Sequence, residues 1–403
     1  MELLTSRYWE WRRSAPILPA SDLPALVEHT KRENEPLGEA PVKRRAGIWI
    51  AGVVGAGLYY ACQPGTPRIA YINADRRLGP VVEDAARERG ETVATALVPA
   101  SNNDVSGRGD ARDVGFAEAV VGAPDIVAVV GHPSSRASLL AAPIYGEAGV
   151  PFIVPTATSR RLRDAGPWTF QLAPDDEAEG AFIAGFALDS LKARGISIFY
   201  LVADEYGIGL RGGIARALAA RGVAPADAVG ILEDSDFGRR VAASLRRQTP
   251  DAVVIAARTP EAVGITLAIR KRLPGVPLIL ADGVEPDAFV HAVASRLGPA
   301  DAVAWWRADN PDPASQAFVQ RFERAAGRAP RPQEAMYYDA LMVAAQAVET
   351  VGPRRDAVRR YLTELGVSRP AYAGITGPIS FTRSRPTNLV MVRLRAAPAA
   401  GGR

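Results

Sequence analysis

The sequence predicts an α/β protein built as two doubly wound parallel-sheet lobes with a hinge, preceded by an N-terminal anchor segment. Three observations carry this expectation. From Pro67 onward, short unbroken apolar runs alternate with longer Ala- and Arg-rich helical patterns; strands read this way when helices cover both faces of a parallel sheet. The alternation comes in two series, separated by a Pro- and acid-rich stretch, so each series is expected to form its own sheet. Finally, 403 residues that are 48% apolar and 23% charged have the balance of a folded protein and the length of two domains.

Taken in order, residues 46–62 (AGIWIAGVVGAGLYYAC) are the most apolar stretch, and Lys43, Arg44 and Arg45 stand directly before it. As a helix it would span about 25 Å, slightly less than a hydrocarbon core of about 30 Å. That length suits a signal segment or a short anchor whose basic flank stays in the cytoplasm. The stretch ends in a segment that resembles a bacterial lipobox, with Cys62 as the residue to be lipidated. Lipidation at Cys62 and retention of residues 46–61 as an uncleaved anchor stand as alternatives. Residues 1–45 are an N-terminal extension, cytoplasmic or cleaved, or the product of a misplaced start codon. In each case the body is expected on the extracytoplasmic face of the cytoplasmic membrane.

RIAYIN (68–73), TVATALV (92–98), DIVAVVG (125–131) and PFIVP (151–155) read as the first series of strands, with helical patterns over 78–90, 110–122 and 134–149 between them. PWTFQLAPDDEAEG (167–180) has the proline and acidic residues of a crossover. SIFYLV (197–202), AVGIL (228–232), DAVVIAA (251–257) and PLILA (277–281) form the second series. Long helices follow over about 314–326, 333–351 and 354–365, then 374–381 and 388–394 as a closing hairpin, and a disordered tail at 396–403. The lobes are expected to comprise 67–175 with 306–372, and 176–305 with 373–395.

Composition argues against several function classes. The net charge of +4 is spread along the chain, without a basic cluster interleaved by aromatics, so no nucleic-acid partner is expected. A single cysteine excludes an internal disulfide and a cysteine metal site, and His29, His132 and His291 show no ligand spacing, so no metal is expected. There is no nucleophile elbow, Walker loop or HExxH pair, and no cysteine near a histidine. The chain reads as a binder, not an enzyme.

Candidate ligand residues cluster at strand ends. VVGHPSSRAS puts Ser134 and Ser135 after a strand and at the start of a helix, beside His132 and Arg136. Free backbone N–H groups and the helix dipole favour an anion there. VPTATSRRL repeats the arrangement with Thr156, Thr158 and Ser159, so two hydroxyl-rich loops converge on one crevice. In the second series, Tyr206 (after Asp204 and Glu205), Arg258 and Asp282 hold the matching positions. Asp282 would complement an ammonium group as the serines would a carboxylate, which is the pattern of an amino-acid site.

Gly207-x-Gly209-x-x-Gly212 spells a dinucleotide-binding turn, and Asp227 and Glu233 lie near the spacing, about 20 residues on, of a ribose-binding carboxylate. The motif, however, follows an intervening ADEY and opens the second series rather than the first. Its glycines are expected to permit a tight helix start that points Tyr206 at the cleft, and no cofactor is expected.

Together these segments resemble the type I periplasmic binding proteins, specifically the branched-chain (leucine/isoleucine/valine) amino-acid-binding proteins of ABC importers. The resemblance rests on VVGHPSSRASLLAAPIYGEAGVPFIVPTATS, YLVADEYGIGLRGG, ADGVEP and AYAGITGPISF, and extends over about 67–395. It implies that Ser135 and Thr158 bind a ligand α-carboxylate. The Thr156 carbonyl and the Thr158 hydroxyl would accept from the ammonium, with Asp282 as its acidic partner and Tyr206 closing over the ligand. It also implies hinge closure on a small ligand and delivery to an ABC permease in the membrane. There are two departures. RIAYINADRRLGP runs almost directly from strand to helix, where the family carries a longer loop with an aromatic wall. Arg258 stands where an uncharged or aromatic residue is usual, and with Arg136 it either turns the pocket toward an acidic ligand or faces solvent. A membrane-tethered ligand sensor built on the same fold is the alternative reading.

Overall fold

The computed structural model describes residues 67–73, 75–91, 94–99, 107–232, 237–382 and 388–395. The apolar stretch 46–62 with Cys62, Glu233 and the tail 396–403 lie outside them.

The first part of the chain runs β1 (Arg68–Asn73), α1 (Leu78–Glu88), β2 (Ala94–Pro99), α2 (Gly107–Val121), β3 (Ile126–Val130), α3 (Ser135–Glu147), β4 (Phe152–Val154) and β5 (Thr169–Gln171). These strands make one parallel sheet in the order β2-β1-β3-β4-β5. The chain then crosses through α4 (Asp176–Gly185) into β6 (Ile196–Leu201), α5 (Glu205–Ala220), β7 (Asp227–Ile231), α6 (Phe237–Arg247) and β8 (Ala252–Ala256). It continues through α7 (Thr259–Arg270), β9 (Leu278–Leu280), α8 (Pro286–Val293) and β10 (Ala300–Ala304). Three helices follow, α9 (Pro313–Ala326), α10 (Pro332–Val351) and α11 (Arg355–Glu364), of which α10 and α11 pack back onto strands of the first sheet and α9 onto α1. Last come β11 (Tyr372–Gly374), β12 (Gly377–Ile379) and β13 (Val390–Arg393).

The second sheet has the order β13-β10-β9-β8-β6-β7, parallel throughout except for β13. Strands β3, β8 and β9 are buried at every residue, as unbroken apolar runs covered on both faces should be. One apolar core joins the inner faces of both sheets through α4, α5 and α10, and a further core lies under the outer face of each sheet.

Two elements differ from expectation. Residues 374–381 and 388–394 do not pair with each other: β11 and β12 form their own two-stranded hairpin, and β13 joins β10 antiparallel. Polar anchors decide this. Buried Asp339 on α10 accepts from the backbone N–H groups of Ile375 (3.0 Å) and Thr376 (2.8 Å) and from the Thr376 hydroxyl (2.6 Å), which fastens the hairpin turn to α10. Arg393 instead reaches Asp301 on β10, at 2.7 Å. Strands β5 and β10 were also not anticipated. The first has only three residues and the second is ADAVA, too short or too alanine-rich to announce itself; both are completed by their neighbours in the sheet.

The glycine motif does more than start a helix. A Cβ at Gly207 would overlap the backbone of Leu201 on β6, one at Gly209 the carboxylate of Asp176, and one at Gly213 the carbonyl of Asp176. Gly180 on α4 faces the backbone of Gly213 in the same way. Helices α4 and α5 therefore meet backbone to backbone. Gly212 is the exception, facing only the guanidinium of Arg216 at 3.2 Å. Asp227, at the spacing of a ribose carboxylate, is bound by Ser244 Oγ at 2.7 Å and by Arg247.

Gly213→Ala is expected to destabilise the protein by about 3 kcal/mol, because backbone, unlike a side chain, cannot move aside. Gly212→Ala should be neutral or gain up to about 1 kcal/mol of helix propensity. Urea denaturation of the two variants checks the contrast.

Candidate functional site

Each sheet has one point where the chain's winding reverses: between β1 and β3 in the first, and between β6 and β8 in the second. Loops leaving the carboxyl ends of strands at such points diverge and leave a crevice. Here both sets of loops border one cavity of about 220 Å³. Ser134 and Ser135 reach it after β3, Thr156 and Thr158 after β4, Tyr206 after β6, Arg258 after β8 and Asp282 after β9. All seven candidate residues thus line the same space.

The first wall is built on hydroxyls. Ser134 caps α3, its Oγ accepting from the Ala137 N–H at 3.2 Å. Ser135 Oγ accepts from the Ser159 N–H at 3.2 Å, and Thr156 Oγ1 donates to the Pro133 carbonyl at 3.3 Å, so the two loops are stitched together. Gln171 on β5 steadies the second loop by donating to the carbonyls of Ala157 (2.9 Å) and Ser159 (3.2 Å). Neither His132 nor Arg136 lines the cavity. His132 is buried beneath it, 3.2 Å from the Tyr145 hydroxyl and edge-on to Phe152, and Arg136 pairs with Asp110.

The second wall carries the charges. Asp204 caps α5, accepts from the Tyr206 N–H at 3.3 Å, and holds Arg258 at 2.7 Å. With its side chain only 17% exposed, Arg258 borders the cavity and does not stretch into solvent. The Tyr206 hydroxyl donates to Asp282 Oδ1 at 2.6 Å and accepts from the Gly283 N–H at 3.0 Å. Residue 283 has to be glycine for this: a Cβ would sit 2.9 Å from that hydroxyl and 3.0 Å from the Ala257 carbonyl.

Helix α4 ties the walls to each other. At its start the Asp176 N–H donates to the Thr158 carbonyl at 2.9 Å. One turn on, Glu179 accepts from the Asp282 N–H at 3.0 Å. Burial pushes the Asp176 carboxyl up to about 8, with the neighbouring Thr158 hydroxyl opposing and the charges of Asp282, Asp175 and Glu205 adding. Burial together with the charge of Asp282 holds Glu179 well above the usual carboxylate range. Asp282 itself rises to about 6, restrained by the Tyr206 hydroxyl, Glu179, the Gly283 N–H and the charge of Arg258. Burial therefore favours the protonated forms of the α4 acids, while hydrogen bonds and the charge of Arg258 favour the ionised form of Asp282.

Sequence reasoning missed Trp305, Gln333 and Tyr337, which also line the cavity. Trp305 stands at the end of the unanticipated β10, and the Trp305-Trp306 pair was the available signal. Tyr337, on α10, donates to the Ile72 carbonyl at 2.8 Å. These two rings supply aromatic walls, while the described residues of the short connection after β1 do not line the cavity. Asp75 in that connection is engaged instead by Arg77 at 2.7 Å and Arg328 at 3.2 Å.

The raised carboxyls set the pH response. Asp176 binds its proton more tightly folded than unfolded, so stability should be full near pH 4 and fall as pH rises toward about 8; Glu179 acts in the same direction. Asp176→Asn, neutral at every pH, should flatten that fall. Melting temperatures measured between about pH 5 and 9 on both proteins check this; an unchanged slope in the variant contradicts it.

A model of the family described as periplasmic binding protein matches residues 112–401. The chain is 25% identical over 242 residues to an amino acid binding protein of Pseudomonas aeruginosa, covering 59% of this chain and 64% of that one, a little under two thirds of its length. It is 26% identical over 278 residues to Leu/Ile/Val-binding protein homolog 1 of Brucella suis biovar 1, covering 67% of this chain and 71% of that one. The solved structure of a leucine binding protein, LivK, from Thermotoga maritima superposes with a TM-score of 0.71 at 20% identity, covering 82% of this chain and 97% of the other. The fold is that of the type I periplasmic binding proteins. With two parallel sheets turned toward one cavity, and a family match over most of the length that builds them, the chain belongs to the periplasmic binding protein family.

Proposed function

We propose that this protein is the solute-binding component of an ABC importer, capturing an amino acid or related small ligand between two lobes and delivering it to a membrane permease. One observation carries the reading. Seven residues from five separate strand ends meet around a single cavity, hydroxyls and a helix N-terminus on one side and the acid Asp282 on the other. An α-carboxylate fits the first wall, because helix N-termini and hydroxyls supply donors. An ammonium fits the acid Asp282, which borders the other side of the cavity. Ser135 and Thr158 are the carboxylate residues in this reading, Ser134 and Thr156 shape the loops, and Tyr206 orients Asp282. Arg258 borders the remaining side. The names of the two curated relatives, an amino acid binding protein and a Leu/Ile/Val-binding protein homolog, support it. The protein binds and releases; it does not transform its ligand.

The chain crosses between the sheets three times, near α4, after β10 and again before β13, and these crossings would act as the hinge of closure. The protein would work outside the cytoplasmic membrane, held there by residues 46–61 or by a lipid on Cys62. No helix among the described residues is long and apolar enough to cross a membrane. A membrane-tethered sensor on the same fold is the alternative; Trp305 and Tyr337 supply aromatic walls where the connection after β1 is short, which supports ligand capture in either role.

A ligand that binds only the folded state raises the melting temperature. A panel of amino acids, amides and short carboxylic acids is expected to contain at least one that does so, and no shift across the panel would refute the reading. Asp282→Asn keeps an acceptor for Tyr206 but removes the charge, and should weaken an amine ligand by about 10- to 100-fold in calorimetry. Unchanged affinity would refute the role given to Asp282. Mass spectrometry of membrane-extracted protein should show either a lipid on an N-terminal Cys62 or an intact residue 46–61 segment.

A further inference from the structure

Once the α-carboxylate and ammonium have partners, three polar groups lining the cavity are left over. Arg258 is the first. A guanidinium has five N–H donors in a fixed fork, and the contact that holds this one is the ion pair with the buried carboxylate of Asp204 at 2.7 Å. Asp204 is itself fixed as the cap of α5, so Arg258 is anchored at the cavity edge with donors to spare. Trp305, which lines the cavity, is the second: its ring is buried, and its Nε1–H, a donor only, has no hydrogen-bond partner among the described residues. The third is Gln333, whose side-chain oxygen is buried without a partner and whose amide can turn to offer either end.

The apolar lining, by contrast, is poor in aliphatic surface. Among the described residues, apart from the rings of Tyr206, Trp305 and Tyr337, it consists of Pro133, Ala157 and Gly283, with no leucine, isoleucine or valine. A branched aliphatic side chain closed into this space would gain little packing against aliphatic groups. It would also exclude water from a guanidinium and an indole N–H without giving either an acceptor, which is the costly way to bury polar groups.

We infer that the ligand carries a second carboxylate, placed against Arg258 and Trp305 Nε1, so that the site selects acidic amino acids over branched aliphatic ones. The inference rests on the amino-acid reading of the same cavity. Arg258 supplies a charge-assisted and bidentate-capable contact, Trp305 a single neutral donor, and Asp204 holds the guanidinium in place before the ligand arrives.

Calorimetry of the full chain with L-glutamate, L-aspartate, L-glutamine and L-leucine tests it. One of the two acidic amino acids is expected to bind at least about tenfold tighter than both glutamine and leucine. The paired variant Asp204→Asn with Arg258→Met removes both charges together, so no buried carboxylate is stranded, and Asn still caps α5. It should erase the acidic preference, so that neither acid binds more tightly than leucine. Leucine or glutamine binding as tightly as the acids to the wild-type protein would overturn the inference and leave the amino-acid reading standing, whether or not the variant folds. An acidic preference that survives in the paired variant would overturn the role of Arg258. Binding by none of the four, in a protein that other amino acids stabilise, would also overturn the inference alone; stabilisation by no amino acid at all would remove the reading beneath it.

Discussion

Helix α4 lies so close to α5 that the contact is between backbones, and the geometry of the cavity follows from that approach. Gly180 and Gly213 remove the side chains that would otherwise hold the helices apart, and Gly209 makes room for the carboxylate of Asp176. A helix packed through ordinary side chains would stand farther off. At the observed distance its first turn reaches the Thr158 carbonyl on one wall, and Glu179 reaches the Asp282 N–H on the other. One short helix therefore sets the relation between loops that belong to two different sheets.

That placement has an electrostatic consequence. Three carboxyls, Asp176, Glu179 and Asp282, are crowded into a space almost without solvent, and all three cannot be ionised together. The two on α4 keep their protons because they are buried beside negative neighbours. Asp282 remains the acid best served by hydrogen bonds, from Tyr206 and Gly283, and by the positive charge of Arg258. The cavity thus presents one carboxylate and one paired guanidinium. A buried charge needs a partner, and in the cavity Arg258 finds one in Asp204.

Much of the fold was legible because parallel sheets covered on both faces leave a strong local trace: unbroken apolar runs at regular intervals, such as DAVVIAA and DIVAVVG. The seven candidate residues were legible for a related reason. Ligand loops follow the ends of such strands, so hydroxyls after β3 and β4 and the acid after β9 could be assigned without knowing how the sheets face each other. Trp305, Gln333 and Tyr337 were missed because β10 is only ADAVA and α10 is distant in sequence; nothing local marks them as neighbours of Asp282. His132 and Arg136 show the converse. Adjacency to Ser134 and Ser135 suggested a shared role, but His132 turns under the loop and Arg136 is taken by Asp110.

The sequence by itself determined two wound sheets, where their ligand-facing loops fall, and which side chains those loops offer, because periodicity and strand-end chemistry are local properties. It also placed a glycine motif at the head of α5. Only the tertiary structure decided what those glycines are for, since their neighbours on α4 and β6 are partners in space. The same holds for Arg258: its sequence position fits a solvent-facing residue as well as a ligand contact, and only the buried Asp204 beside it settles that its charge is held at the cavity. Charge pairing and backbone contact are relations between distant segments, and a chain acquires them only when it folds.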